Sequence, residues 1–151
     1  MRATLPPPSC RPVDGVSELN KRKVRLFVEA VWNEGRLELI DELVADDYVG
    51  RVQGTGSGVF GRDEVRRLVS SRRRAHPDLH VRIEDQIAEE DRVAMRWRAT
   101  STATGARAGT LRCGGISIIR LLAGKLVESH TQLNAIDEAE ARASARAPAR
   151  A

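Results

Sequence analysis

The stretch from Val24 to Gly35 constrains the fold more than any other part of the chain. Its apolar residues Val24, Phe27, Val28 and Val31 fall at i, i+3, i+4 and i+7, the spacing of one buried helical face. Asn33 and Gly35 follow, and both tolerate the left-handed backbone that closes a helix. With Ser17 read as the N-cap, the pattern predicts a first helix over about 17–33. A second short helix over about 36–44 turns Leu37, Ile40 and Val44 inward, and Asp46-Asp47 breaks the chain before Tyr48.

The pattern then changes period. Residues 50–61 are glycine-rich, with short strand character around Arg51–Gln53. A third helix is expected over about 62–75, with Val65, Leu68 and Val69 inward, until His76-Pro77-Asp78 stops it. Four strand-like segments follow at 79–87, 92–102, about 111–121 and 126–135, separated by turn signals at Asp91, Thr104-Gly105 and Ala123-Gly124-Lys125. Helices first and antiparallel strands afterwards predict an α+β domain over 16–137. Residues 1–15, with Pro6, Pro7, Pro8 and Pro12, read as a disordered leader, and 138–151 as an Ala/Arg-rich tail.

Composition excludes several classes of function. The chain has 151 residues and a formal net charge of +4, of which the leader and the tail each hold one. The remaining excess of about two charges is too small to neutralise many phosphates, so no nucleic-acid partner is expected. No apolar run approaches the roughly 20 residues that span a bilayer. The first residues show no apolar core of a secretory signal, so a cytoplasmic protein without a membrane partner is expected. Cys10 and Cys113 lie in unlike contexts, which argues against a structural disulfide. No His-x-His or Glu-x-x-His spacing occurs, so no metal is expected.

Five segments in order resemble the SnoaL-like polyketide cyclase family, within the nuclear-transport-factor-2-like superfamily. They are Phe27 to Val49, Gly61 to Asp78, Asp91 to Trp97, Gly115 to Arg120 and Gly124 to Glu128. The resemblance covers roughly residues 20–137. It implies a cone-shaped fold, with three N-terminal helices packed on a curved antiparallel sheet, and a homodimer formed through the sheet's other side. It also implies ring closure by intramolecular aldol addition without a metal or organic cofactor. In that chemistry an Asp on the last strand serves as general acid/base inside a hydrophobic cone.

The chain departs from the family at this strand. Where members commonly read Glu-His-Trp-x-x-x-Asp, it reads Glu128-Ser129-His130-Thr131-Gln132-Leu133-Asn134. Asn134 can donate and accept hydrogen bonds but cannot act as a base. Ala103 and Gly50 or Arg51 stand where many members carry histidine, and only Ala106–Gly109 remains of the family's hairpin loop. Strand alternation places Glu128, His130, Gln132 and Asn134 on one face, expected to line the pocket. His130 beside Glu128 is then either the acid/base or a hydrogen-bonded polar residue of the cavity. His76 and His80 read as surface residues.

Among the aromatics, Trp32 and Tyr48 are placed for a cavity mouth, and Trp97 for either the core or the pocket wall. Trp97 shares a strand face with Val93, Met95 and Ala99, while Arg96 and Arg98 face the other way. The first reading is a small cofactor-independent enzyme of secondary metabolism: a cyclase, isomerase or hydrolase of a polyketide-like or other apolar substrate. There His130, Asn134 and Glu128 would be catalytic, with Trp32, Tyr48, Phe60, Trp97 and Gln132 binding substrate. The alternative is a small-molecule-binding or dimeric accessory protein that has lost the acid/base Asp.

Overall fold

A computed structural model describes residues 15–54, 58–102 and 110–135. The expected leader and tail, the Thr104-Gly105 turn and the Ala106–Gly109 loop lie outside the described residues, apart from Gly15. Three helical segments pack on one six-stranded sheet.

Helix α1 (Val16–Leu26) is capped by Gly15, so Ser17 lies inside its first turn rather than at the cap. It runs on as a wider π-helical segment, Phe27–Asn33, in which the Glu34 amide donates to the Glu29 carbonyl at 3.0 Å. The wider turn directs Phe27, Val28, Ala30 and Val31 all into the core. Gly35 then takes φ +72°, where an L side chain is strained, and ends the helix as expected. The second helix is only a 3₁₀ turn, Leu37–Leu39, followed by one α turn, α2 (Ile40–Leu43). Helix α3 (Arg62–Ala75) has the bounds read from its periodicity.

Strands β1 (Val44–Gly54), β2 (Gly58–Phe60), β3 (His80–Glu89), β4 (Arg92–Thr102), β5 (Thr110–Leu122) and β6 (Lys125–Ala135) form the sheet in the order β2-β1-β6-β5-β4-β3. All neighbours are antiparallel except β1 and β6, which run parallel. The Asp46-Asp47 break proves to be an irregularity within β1. Val44 pairs with Leu126 but Val49 with Glu128, which leaves the intervening acidic residues exposed and bends the strand.

The core lies between the helices and the sheet, centred on Val24, Val28, Val31, Ile40, Val69, Val93 and Leu126. Helix α1 covers β3 and β4, and α3 covers β1 and β2. The free edge of β3 is closed by a side chain. Asn33 Nδ2 donates to the Val81 carbonyl at 2.9 Å, and its Oδ1 accepts the Val81 amide at 2.7 Å. The amide thus takes the place of a neighbouring peptide and ties the helix end to the sheet.

Candidate functional site in the cone

Between the two helix-covered margins, the inner face of β4, β5 and β6 is partly open: Trp97, Thr131 and Leu133 are half-buried there. Two glycines shape it. A Cβ at Gly115 would fall 3.0 Å from the Trp97 ring, so glycine lets the indole lie against β5. A Cβ at Gly50 would fall 2.6 Å from Tyr48 Oη, so Gly50 makes room for the phenol.

Both aromatic rings end in hydrogen bonds to hydroxyls on neighbouring strands. Trp97 Nε1 donates to Ser117 Oγ at 3.0 Å, and Ser117 Oγ lies 2.8 Å from Thr131 Oγ1. Tyr48 Oη lies 2.6 Å from Ser129 Oγ. Burial pushes the Tyr48 phenol above its ordinary pKa, and the Ser129 hydrogen bond partly offsets this. Phe60 pairs with Gly50 and therefore shares the inner face. Trp32 is half-buried at the end of the π-helical segment and packs against the core, its carbonyl accepting from Arg73 Nη1 at 3.0 Å.

Glu128, His130, Gln132 and Asn134 do share one face, but it is the outer one. The cause is a bulge: Leu121 pairs with Leu126 while Arg120 pairs with Glu128, so Val127 is an extra residue. Leu126 is buried, and uninterrupted alternation from it would carry 128, 130, 132 and 134 inward. The extra residue reverses the phase, so Ser129, Thr131 and Leu133 face in, opposite Ile119, Ser117 and Gly115.

On the outer face, His130 Nε2 lies 2.9 Å from Glu128 Oε1, which also accepts from Arg51 Nη1 at 3.2 Å. The His130 side chain is 57% exposed. The His130 hydrogen bond, then the charges of His130, Arg51 and Arg120, hold the Glu128 carboxyl below the usual range. Glu128 and Arg120 border an open depression of about 290 Å³, also lined by Asp47, Val49, Arg51 and Leu122.

One other sequence expectation changes. His76 is half-buried, not a surface residue, because Nδ1 is tied to the buried Ser101 Oγ at 2.9 Å. Cys113 faces the half-open inner wall, where burial pushes its thiol up against the opposing charge of Arg72. His80 is exposed, as expected. Among the described residues no group of three His, Cys, Asp or Glu side chains is placed to hold a metal ion. No described helix is long and apolar enough to cross a membrane.

Ser117, Ser129 and Thr131 were not read from the sequence as site residues. Their one signal is that small hydroxyl residues occupy strands otherwise rich in Ile, Leu and Val, close to a Gly-Gly pair.

Helices on one side of a bent six-stranded sheet, with a partly open inner wall, define the cone-shaped α+β class of the nuclear-transport-factor-2-like proteins. Within it, the SnoaL-like polyketide cyclase family matches residues 22–140, and the chain belongs to that family. No curated protein matches the chain. Among solved structures it is similar to IdmH of Streptomyces antibioticus, assigned as a polyketide cyclase. The two are 22% identical over 76% of this chain and 91% of that one, with a TM-score of 0.68. AclR of Streptomyces galilaeus, assigned as a hydroxylase, is 24% identical over 83% and 85%, with a TM-score of 0.70. An epoxide hydrolase of M. tuberculosis is 16% identical over 80% and 86%, with a TM-score of 0.61. At these identities the likeness establishes the fold.

Proposed function

We propose that the protein is a cofactor-independent enzyme that takes a polyketide-like or other largely apolar, oxygen-bearing substrate into the cone. It promotes a cyclisation, isomerisation or hydrolysis there. The observation that carries this reading is the Tyr48–Ser129 hydroxyl pair on the inner wall, 2.6 Å apart. Hydroxyl donors fixed in a partly desolvated wall can stabilise the charge that develops on a carbonyl oxygen, and an enclosing cone holds a flexible substrate in a reactive conformation. Phe60 and Trp97 supply apolar surface on the same face, with Trp32 at the mouth. The scheme relies on positioning and hydrogen bonding: water or a buffer anion takes the carbon-bound proton while the hydroxyls hold the enolate oxygen, where the family resemblance implies a carboxylate base.

The test follows enolisation directly, as exchange of the acidic α-protons of a naphthyl 1,3-diketone into heavy water, read by proton NMR. Tyr48→Phe should lower the enzyme-promoted rate at least about tenfold, the scale of one lost electrostatic donor. His130→Ala should leave it unchanged. The reverse result would move the chemistry to His130 with Glu128 and Asn134, and bring the substrate, with Gln132, to the outer face.

A second reading, a small-molecule-binding or dimeric accessory protein, is favoured by one observation: Asn134, which the resemblance sets at the family's Asp, carries no carboxylate and faces away from the cone. It predicts binding without exchange, and no gain of exchange in Asn134→Asp, whose carboxylate would face away from the cone.

In either reading the partner is a second copy of the chain, docked through the outer face. Ile116 and Ile118 are 55% and 46% exposed at the middle of that face. Charges of both signs flank them: Arg96 and Arg98 with Glu84, and Arg120 and Arg51 with Glu128. An apolar centre with mixed charges at its rim can be complementary to itself across a two-fold axis.

A further inference from the structure

We infer that Thr131 is the ligand-facing end of a directed hydrogen-bond chain, Trp97 to Ser117 to Thr131, and that it donates to a carbonyl oxygen of an uncharged, flat ring compound. The inference rests on the reading that the ligand occupies the cone.

The direction of the chain follows from which groups can donate. An indole N–H has no acceptor function, so Ser117 Oγ must accept from Trp97 Nε1 at 3.0 Å. Ser117 is only 3% exposed, and a hydroxyl proton buried that deeply needs an acceptor within the protein. The other partner of its oxygen is Thr131 Oγ1, at 2.8 Å, so the Ser117 proton goes there. Thr131 Oγ1 has accepted, and its own proton remains for a group outside the chain. Thr131 is half-buried on the open inner wall, so that group is whatever enters the cone.

Each link polarises the next, and the terminal hydroxyl becomes a better donor than an isolated threonine. The surroundings fix the class of ligand. Trp97, Leu133 and the Cα surface of Gly115 lie on the same face, and none of them carries a charge. A neutral ring can lie on the indole with its carbonyl toward Thr131; the cation whose charge reaches this wall, Arg72, acts on Cys113, two residues before Gly115 on β5.

Binding of 9-fluorenone and of fluorene to the full chain tests this, because the two differ only in the carbonyl and neither reacts with thiols. Affinity is measured by quenching of tryptophan emission, and the bound ketone's carbonyl stretch by infrared difference spectroscopy. Wild type should prefer fluorenone and lower its stretching frequency. Thr131→Val, which keeps the shape and removes the donor, should weaken fluorenone about five- to tenfold, restore the frequency, and leave fluorene unchanged. Thr131→Ser should retain the preference, and Ser117→Ala should reduce it in part. Equal losses for both probes in Thr131→Val, or an unshifted carbonyl in wild type, would overturn the assignment while leaving the cone as the site. If neither probe binds wild type, the placement of the ligand in the cone falls, and the inference with it.

Discussion

Tyr48 and Ser129, on the parallel neighbours β1 and β6, meet at 2.6 Å where Gly50 leaves space for the phenol. Tyr48 is the chain's one tyrosine, so tyrosinate absorbance reports this contact alone. Burial raises its pKa above the ordinary 10.0, and the Ser129 hydrogen bond lowers it. A pH titration should therefore give a midpoint above 10.0, moved further up in Ser129→Ala. The fold holds the phenol neutral, so its contribution to stability is complete below the unfolded pKa and is lost as pH rises through the folded one. An ordinary midpoint in wild type would contradict the buried placement.

At the opposite limit of pH, the informative pair is Asp78 and Thr102. The Asp78 carboxylate accepts from the Thr102 hydroxyl and, at 2.8 Å, from its amide, fastening the turn after α3 to the end of β4. Those two hydrogen bonds, the hydroxyl's first, hold its pKa below the ordinary 3.8. A depressed carboxylate stabilises the fold above the unfolded pKa, and that contribution is lost as pH falls through the folded value. Asp78→Asn should lower the melting temperature by a few degrees at neutral pH. It should also flatten the decline of melting temperature below pH 3.8, as differential scanning calorimetry would record. Identical acid limbs for the two proteins would count against the contact.

Helix α3 and strand β4 were legible to the residue, because Val65, Leu68 and Val69 keep one helical stripe and Val93, Met95 and Ala99 keep one strand face. The family's order of segments was legible for the same reason. The β6 side of the inner wall was not. Val127 looks like any strand valine, and nothing in its type announces that two residues of β6 stand opposite one of β5. That single extra residue decides whether His130 or Thr131 faces the cone. The double role of Asn33 was half legible: its suitability as a helix stop could be read, but its pairing with Val81 joins residues 48 positions apart.

The outer face makes a prediction about assembly. Ile118 sits directly opposite His130 across β5 and β6, and Ile116 opposite Gln132. A second copy covering this strip would bury both isoleucines. Ile118→Lys places like charges against each other across a two-fold axis and should shift sedimentation equilibrium from dimer to monomer. The monomer's circular dichroism should be unchanged, since Ile118 is 46% exposed and outside the core. A wild-type chain that sediments as a monomer at all concentrations would refute the docking.

The geometry at Gly115 yields the sharpest stability prediction. Replacing a strand glycine by alanine usually stabilises by about 0.5–1 kcal/mol, because it restricts the unfolded chain. Here the added Cβ would lie 2.5 Å from the Gln132 carbonyl oxygen and 3.0 Å from the Trp97 ring. The carbonyl belongs to the backbone of β6 and cannot turn aside, so the strands must separate or the indole must tilt. Overpacking of this kind costs about 1–3 kcal/mol, which exceeds the entropic gain, and Gly115→Ala should be destabilised in urea unfolding. Tilting the indole would also break its bond to Ser117 and expose the ring, shifting tryptophan emission to longer wavelength. A variant as stable as wild type, with unchanged emission, would show that Trp97 does not lie against β5.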